Sequence, residues 1–264
     1  MATIRMKNLR SANISAIFFD LDNTLIETRK ADSRTCRKLA EELTQEYGIP
    51  EDVSTRITAT YLKLFRKCPD NSTCTLDAWR MILWNKALGE KFTYLAKKIY
   101  ERWLYLRYQY LALELDVIVL LRRLRKKYLL GLITNGPSNA QWEKVRKLSL
   151  EQYFDIILVS GDLPWEKPEA RIFEEACQFL NVTPSCCIMV GDKLETDILG
   201  GIEAGLGATV WLFCGSIADK PRLSVKDPQP DFILRYLMDL SNILNCKPGA
   251  PELEDTSSNG SDGS

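Results

Sequence analysis

Residues Ile14 to Thr24 read I-S-A-I-F-F-D-L-D-N-T, and this stretch decides the fold. Ile17, Phe18 and Phe19 form a short apolar run with no polar alternation, the pattern of a strand buried on both faces. The run stops abruptly at Asp20-Leu21-Asp22-Asn23-Thr24. Extended geometry would point Asp20 and Asp22 to the same side of the chain at the mouth of that strand.

Working outward, residues 28–114 carry the period of helices, with Cys36, Leu39, Ala40 and Leu43 on one face. Breaks are expected near Gly48-Ile49-Pro50, Pro69-Asp70-Asn71 and Leu88-Gly89, which gives about four helices and no strand. After Leu115 the texture changes. Apolar strands at Leu129–Thr134, Ile156–Val159, Cys187–Val190 and Ala208–Phe213 alternate with helical segments. Such alternation implies right-handed crossovers and a parallel sheet covered on both faces. The expected architecture is α/β: residues 1–27 and 115–246 form a Rossmann-like parallel sheet core, and residues 28–114 form an inserted all-helical cap. Residues 247–264, rich in Pro, Gly, Ser, Asp and Glu, read as a disordered tail.

Four polar groups fall at the C-terminal ends of these strands: Asp20/Asp22/Thr24, Thr134-Asn135-Gly136, Lys167, and Asp192/Asp197. In a doubly wound sheet those ends share one crevice. Several carboxylates there are costly unless a cation sits between them. A hard divalent ion such as Mg²⁺ suits oxygen ligands of this kind. Lys167 adds positive charge, Thr24, Thr134 and Asn135 add neutral donors, and Gly136 permits close backbone approach. The set suits a tetrahedral dianion, and so phosphoryl transfer. Taken alone, the D-L-D-N-T segment would also serve as a helix cap. The four groups in register argue against that.

These motifs resemble the haloacid dehalogenase superfamily of phosphohydrolases. They stand here as Asp20-Leu21-Asp22-Asn23-Thr24, Leu132-Ile133-Thr134-Asn135-Gly136, Glu166-Lys167-Pro168 and Gly191-Asp192-x-x-x-x-Asp197. The resemblance implies that Asp20 is a nucleophile forming an aspartyl-phosphate and that Asp22 is the general acid, then the base. It implies phosphate or nucleophile positioning by Thr24, Thr134, Asn135, Gly136 and Lys167. Mg²⁺ would be held by Asp20, the Asp22 carbonyl and Asp192, with Asp197 orienting Lys167 or a metal-bound water. Asp22 favours phosphate esters over carbon–halogen bonds, because a halide leaves without a proton. Lys193 departs from the small polar residue usual after Asp192. Within the family, Phe18 to Thr28, Val190 to Gly201, Ala204 to Trp211, Ser72-Thr73-Cys74 with Trp84, and Trp103-x-x-x-Arg107 resemble enzymes hydrolysing a sialic acid 9-phosphate. That implies specificity in the cap. Arg80 or Arg107 would pair with the sugar's carboxylate; either would equally suit a solvated helix face.

Composition narrows the alternatives. The chain has 264 residues and no histidine, so histidine-based triads, nucleophiles and metal sites are excluded. Lys plus Arg equals Asp plus Glu at 35 each, which leaves no global field for nucleic acid or an anionic membrane. None of the 8 cysteines forms a C-x-x-C pair, and a reducing cytoplasmic setting is expected. The expected partner is a small-molecule phosphate ester, with no nucleic acid and no membrane, and the expected state is a monomer or weak homodimer. Cys74 to Arg80 has the C-x-x-x-x-x-R spacing of cysteine phosphatases, but its interior lacks Gly and includes Asp77, which would repel phosphate. The basic run Arg122 to Lys127 reads as a solvated helix face.

Overall fold

The computed structural model describes residues 13–67, 74–215, 219 and 221–244. The tail expected at 247–264 and the break at 69–71 lie outside the described residues. Six parallel strands form one sheet: β1 (Ala16–Phe19), β2 (Leu129–Thr134), β3 (Ile156–Val159), β4 (Cys187–Gly191), β5 (Ala208–Leu212) and β6 (Phe232–Leu234). Their order is β3-β2-β1-β4-β5-β6. The chain therefore reverses its direction of travel between β1 and β4, the switch point where a crevice opens beyond the strand ends.

Strand periodicity divides the core into two layers. Ile17, Phe19, Leu130, Leu132, Ile188, Val190, Ala208 and Val210 share one buried cluster. Helix α5 (Leu115–Arg125) covers it through Val117, Leu120, Leu121 and Leu124. The alternate residues Ala16, Phe18, Ile133, Cys187 and Met189 point the other way. Helix α7 (Ala170–Leu180) covers that face through Ile172, Phe173, Ala176 and Cys177. The basic run on α5 lies opposite its leucines, as expected for a solvated face; within it, Arg125 pairs with Asp155 at 3.1 Å. Gly131 admits the Phe18 ring, because a Cβ there would sit 2.6 Å from Phe18 Cδ1.

Among the described residues, four α-helices lie between β1 and α5: α1 (Thr28–Tyr47), α2 (Glu51–Phe65), α3 (Leu76–Phe92) and α4 (Ala96–Tyr110). Gly48 ends α1 in the left-handed region at φ 64°, a conformation that glycine adopts without steric cost. At Leu88-Gly89 the expected break is a kink: Gly89 turns to φ 65° and the helix resumes to Phe92. The insert holds its own apolar cluster, with Tyr61 stacked on Trp84 at 3.7 Å and edge-on to Trp103 at 5.1 Å. Trp84, Trp103 and Tyr61 are therefore packing residues.

Candidate active site

Asp20 follows β1 and is tied to its neighbour by an Asp20 N–H bond to the Val190 carbonyl, 2.9 Å. Lys167, from the loop after β3, reaches the same place. Its Nζ donates to Asp20 Oδ1 at 2.7 Å and to the Ile133 carbonyl at 2.6 Å, and pairs with Asp197 Oδ1 at 2.7 Å. Thr24 Oγ1 lies 3.4 Å from the other Asp20 oxygen. Burial pushes the Asp20 carboxyl up to about 7; Lys167 pulls it down, while Asp197 and Asp22 push it further up. Burial works against the Lys167 charge, but the Asp197 and Asp20 carboxylates outweigh it and hold the ammonium above its usual range.

Asp197 lies in the helical turn that follows β4. The turn Leu194–Ile198 is a π-helix leading into α8 (Leu199–Glu203), which lets Asp197 fold back under the strand. Its Oδ2 accepts the Lys193 backbone N–H at 3.0 Å. Gly191 makes room, since a Cβ there would lie 2.3 Å from Asp197 Cγ. The Lys193 side chain itself is exposed. Asp192 faces Arg29 at 3.4 Å, and burial, reinforced by Asp197, raises its carboxyl to about 6.

Oxygens of Asp20, Asp192 and Asp197 lie within 4.8 Å of one another. Asp192 Oδ1 is buried without a hydrogen-bond partner. An orphaned carboxylate oxygen beside two further carboxylates fits a hard divalent cation. The Asp22 side chain is not in this cluster.

Asp22 instead turns toward helix α6 (Ser138–Lys147). Lys144 Nζ lies 2.7 and 2.6 Å from its two oxygens, and Gln141 Nε2 donates to Oδ2 at 3.0 Å. Thr28 donates to Oδ1. Burial pushes the Asp22 carboxyl up, but Lys144, Thr28 and Gln141 together hold it well below the usual range.

The second motif differs in detail from its sequence reading. Both amide atoms of Asn135 are taken by the Lys167 backbone, at 2.8 and 3.0 Å, so Asn135 fixes the lysine loop. The Gly136 N–H, expected to face a ligand, donates to Ser160 Oγ at 3.0 Å, because φ 138° turns it toward the β3 loop. Thr134 Oγ1 accepts from Gln141 at 3.0 Å, which leaves its hydroxyl proton available to a further acceptor. Gln141, Lys144, Thr28 and Arg29 were not singled out in the sequence. The signal available was a Gln and a Lys three residues apart on the helix directly after Thr134-Asn135-Gly136.

The two insert arginines are not on solvated faces. Arg80 is 1% and Arg107 2% exposed. Arg80 forks onto Glu143 of α6, at 2.7 and 2.9 Å, and Arg107 Nε donates to Asp32 at 2.7 Å. The fork expected to hold a substrate carboxylate is therefore filled at Arg80 by the protein itself. A buried guanidinium without a carboxylate partner would be strongly destabilising. Thr75 caps α3 through Ala78 N at 3.2 Å, so Cys74 to Arg80 is a helix start and not a phosphate loop.

Residues 14–205 match the haloacid dehalogenase-like hydrolase family. The chain belongs to that family. Within this family of hydrolases, N-acylneuraminate-9-phosphatase of Rattus norvegicus is 37% identical over 245 residues, covering 89% of this chain and 97% of its own length. Glyceraldehyde 3-phosphate phosphatase of Pyrococcus furiosus is 32% identical, covering 90% of this chain and 95% of its own. Among solved structures, the haloacid dehalogenase phosphatase of Thermococcus onnurineus aligns at TM-score 0.57 and 25% identity, over 88% of this chain and 98% of that one. The magnesium-bound YfnB hydrolase of Bacillus subtilis aligns at TM-score 0.60 and 24% identity, over 88% and 99%, and shares the fold. This chain is a phosphoric monoester hydrolase of the haloacid dehalogenase-like family. Among the described residues, no helix is long and apolar enough to cross a membrane.

Proposed function

We propose that the chain hydrolyses a small sugar phosphate through an aspartyl-phosphate on Asp20, and that N-acylneuraminate 9-phosphate is the substrate. The observation that carries this reading is the arrangement at Asp20: Lys167 binds Oδ1 at 2.7 Å, while Oδ2 has only the 3.4 Å contact to Thr24. A carboxylate oriented on one oxygen is left with the other to attack phosphorus. Oδ2 forms the new P–O bond as the ester P–O bond breaks, and the leaving sugar oxygen takes a proton through Asp22 from Lys144 Nζ, 2.6 Å away, since Asp22 itself is held ionised before substrate enters. Asp22 then takes a proton from water, which attacks the aspartyl-phosphate and releases inorganic phosphate. That proton passes back to Lys144 Nζ, so the Asp22–Lys144 pair ends the cycle as it began.

Asp20, Asp192 and the Asp22 carbonyl would hold Mg²⁺, with Asp197 beside them. When bound, the ion neutralises charge on the phosphoryl oxygens. Residues 1–27 and 115–246 act as the catalytic core, and 28–114 as the cap that selects the substrate. Neither Arg80 nor Arg107 is assigned to the sugar carboxylate, because each is nearly out of solvent and already paired with a carboxylate of the chain. The catalytic setting is cytoplasmic, without nucleic acid or membrane, in a monomer or weak homodimer.

The test is phosphate release from a panel of esters with Mg²⁺ and with chelator, beside Asp20→Asn. Preference for N-acetylneuraminate 9-phosphate, lost with chelator and in the variant, is the expected result. Turnover of glyceraldehyde 3-phosphate or phosphoglycolate instead would keep the mechanism and reject the substrate. A folded protein that turns over no ester would reject the mechanism as well.

A further inference from the structure

Helix α6 is gripped on two sides by two different parts of the molecule. One side meets the active site: Gln141 and Lys144 make three contacts to Asp22, at 3.0, 2.7 and 2.6 Å. The other side meets the helical insert through Glu143, one of the two residues between them. Arg80 of α3 forks onto both Glu143 oxygens at 2.7 and 2.9 Å, and the Tyr108 hydroxyl of α4 donates to Oε1. Glu143 thus ties α6 to two insert helices at once. The tie is largely buried, with side-chain exposure of 19% at Glu143 and 1% at Arg80. A bidentate, charge-assisted pair out of solvent fixes direction as well as distance. Exposed pairs do not.

We propose that α6 transmits the position of the insert to Asp22, and that Glu143 is the positioning residue through which it does so. The proposal rests on the reading of Asp22 as proton donor. Residues 141, 143 and 144 lie within a single turn, about 4.5 Å of rise in all at 1.5 Å per residue. One turn of helix does not compress, so a displacement imposed at Glu143 arrives at Gln141 and Lys144 undiminished. Asp22 moves with them. Asp20 does not, because it is held by the Lys167 ammonium and the Val190 carbonyl, neither of which belongs to α6. A docked insert therefore brings the proton donor into register with the leaving oxygen, while the nucleophile is set independently. Loss of the tie would leave attack intact and impair protonation.

The test separates those two steps by leaving group. N-acetylneuraminate 9-phosphate releases an alkoxide that needs a proton; p-nitrophenyl phosphate releases a phenolate that does not. The kcat and KM for both esters would be measured in the wild type, Glu143→Gln, Tyr108→Phe and Asp22→Asn, with thermal melts to establish folding. For Glu143→Gln, kcat on the sugar ester should fall by roughly 10- to 100-fold, the scale of a 1 Å misplacement of a reacting group. Its kcat on the aryl ester should stay within about two-fold of wild type, since attack by Asp20 is unaffected. Tyr108→Phe should show the same split at smaller size, and decides the matter if Glu143→Gln does not fold. Equal losses on both esters, or an unchanged sugar-ester kcat, would overturn the proposal. Asp22→Asn is the reference. If it shows the split and the Glu143 variant does not, the transmission through α6 is wrong and the proposed function stands. If Asp22→Asn shows no split, the proton-donor reading falls and the proposal falls with it.

Discussion

Lys167 is one ammonium group shared by two buried carboxylates, and its removal is the most severe single change that the site offers. Lys167→Met would leave Asp20 and Asp197 facing each other without a cation. Removing one member of a buried ion pair costs about 3–5 kcal/mol. A urea melt should register that loss, together with abolished turnover; an unshifted midpoint would mean that the two carboxylates are neutralised some other way. Asp20→Asn should behave differently. It keeps the shape of the side chain and removes the nucleophile, so turnover should vanish while circular dichroism and the melt stay near wild type. Gly191→Ala should damage both, because the new methyl would occupy the space of Asp197 Cγ, 2.3 Å away. Asp20, Lys167, Asp192 and Asp197 were legible in the sequence because each follows a buried strand, and strand ends converge whatever the loops do. Gln141 and Lys144 were not. Polar residues every three or four positions are the normal dress of a solvated helix, and a Gln and a Lys three residues apart do not stand out from that dress. Arg80 was legible as a charge but not as a buried one, since its carboxylate lies 63 positions away in Glu143.

At the scale of elements, five of the strands announce themselves by apolar runs and β6 does not. Phe232–Leu234 is three residues long, half-buried and at the sheet edge, too short for any periodicity to register. The four insert helices were legible from their period, whereas their contact with α6 was not, because it is made by one glutamate. That contact has a pH signature. Burial pushes the Glu143 carboxyl up, but the Arg80 bonds and charge and the Tyr108 hydroxyl outweigh burial and hold it below its ordinary value of 4.5. A group depressed in the folded state stabilises fully above its unfolded value and loses that contribution as pH falls through the folded one. The melting temperatures of wild type and Glu143→Gln should therefore differ most at neutral pH and converge as the solution is acidified below 4.5. A gap that persists unchanged into acid would mean that the carboxylate charge contributes nothing to the tie.

For the whole molecule, the balance of charge at the crevice matters more than the net charge of the chain. The chain is neutral overall, yet three carboxylates meet within 4.8 Å, with the buried Lys167 paired to Asp20 and Asp197 and the exposed Arg29 to Asp192. The native fold carries that repulsion and the unfolded chain does not, so a divalent cation should bind the folded state preferentially. A ligand of that kind stabilises by about 2.7 kcal/mol at one hundred times its dissociation constant. Mg²⁺ should therefore raise the melting temperature in a concentration-dependent way, and chelator should reverse the rise. Asp192→Asn should blunt it, because the side chain with the unpartnered oxygen loses its charge. Ca²⁺ should raise the melting temperature too while failing to support turnover, since its longer bonds and higher coordination number misplace the nucleophile. The two readouts separate binding from chemistry. A melt indifferent to both ions would argue that Lys167 and Arg29 balance the three carboxylates without a metal. A Ca²⁺-supported turnover equal to that with Mg²⁺ would argue that the ion serves only to relieve charge, and that the position of Asp20 is set wholly by Lys167 and the Val190 backbone.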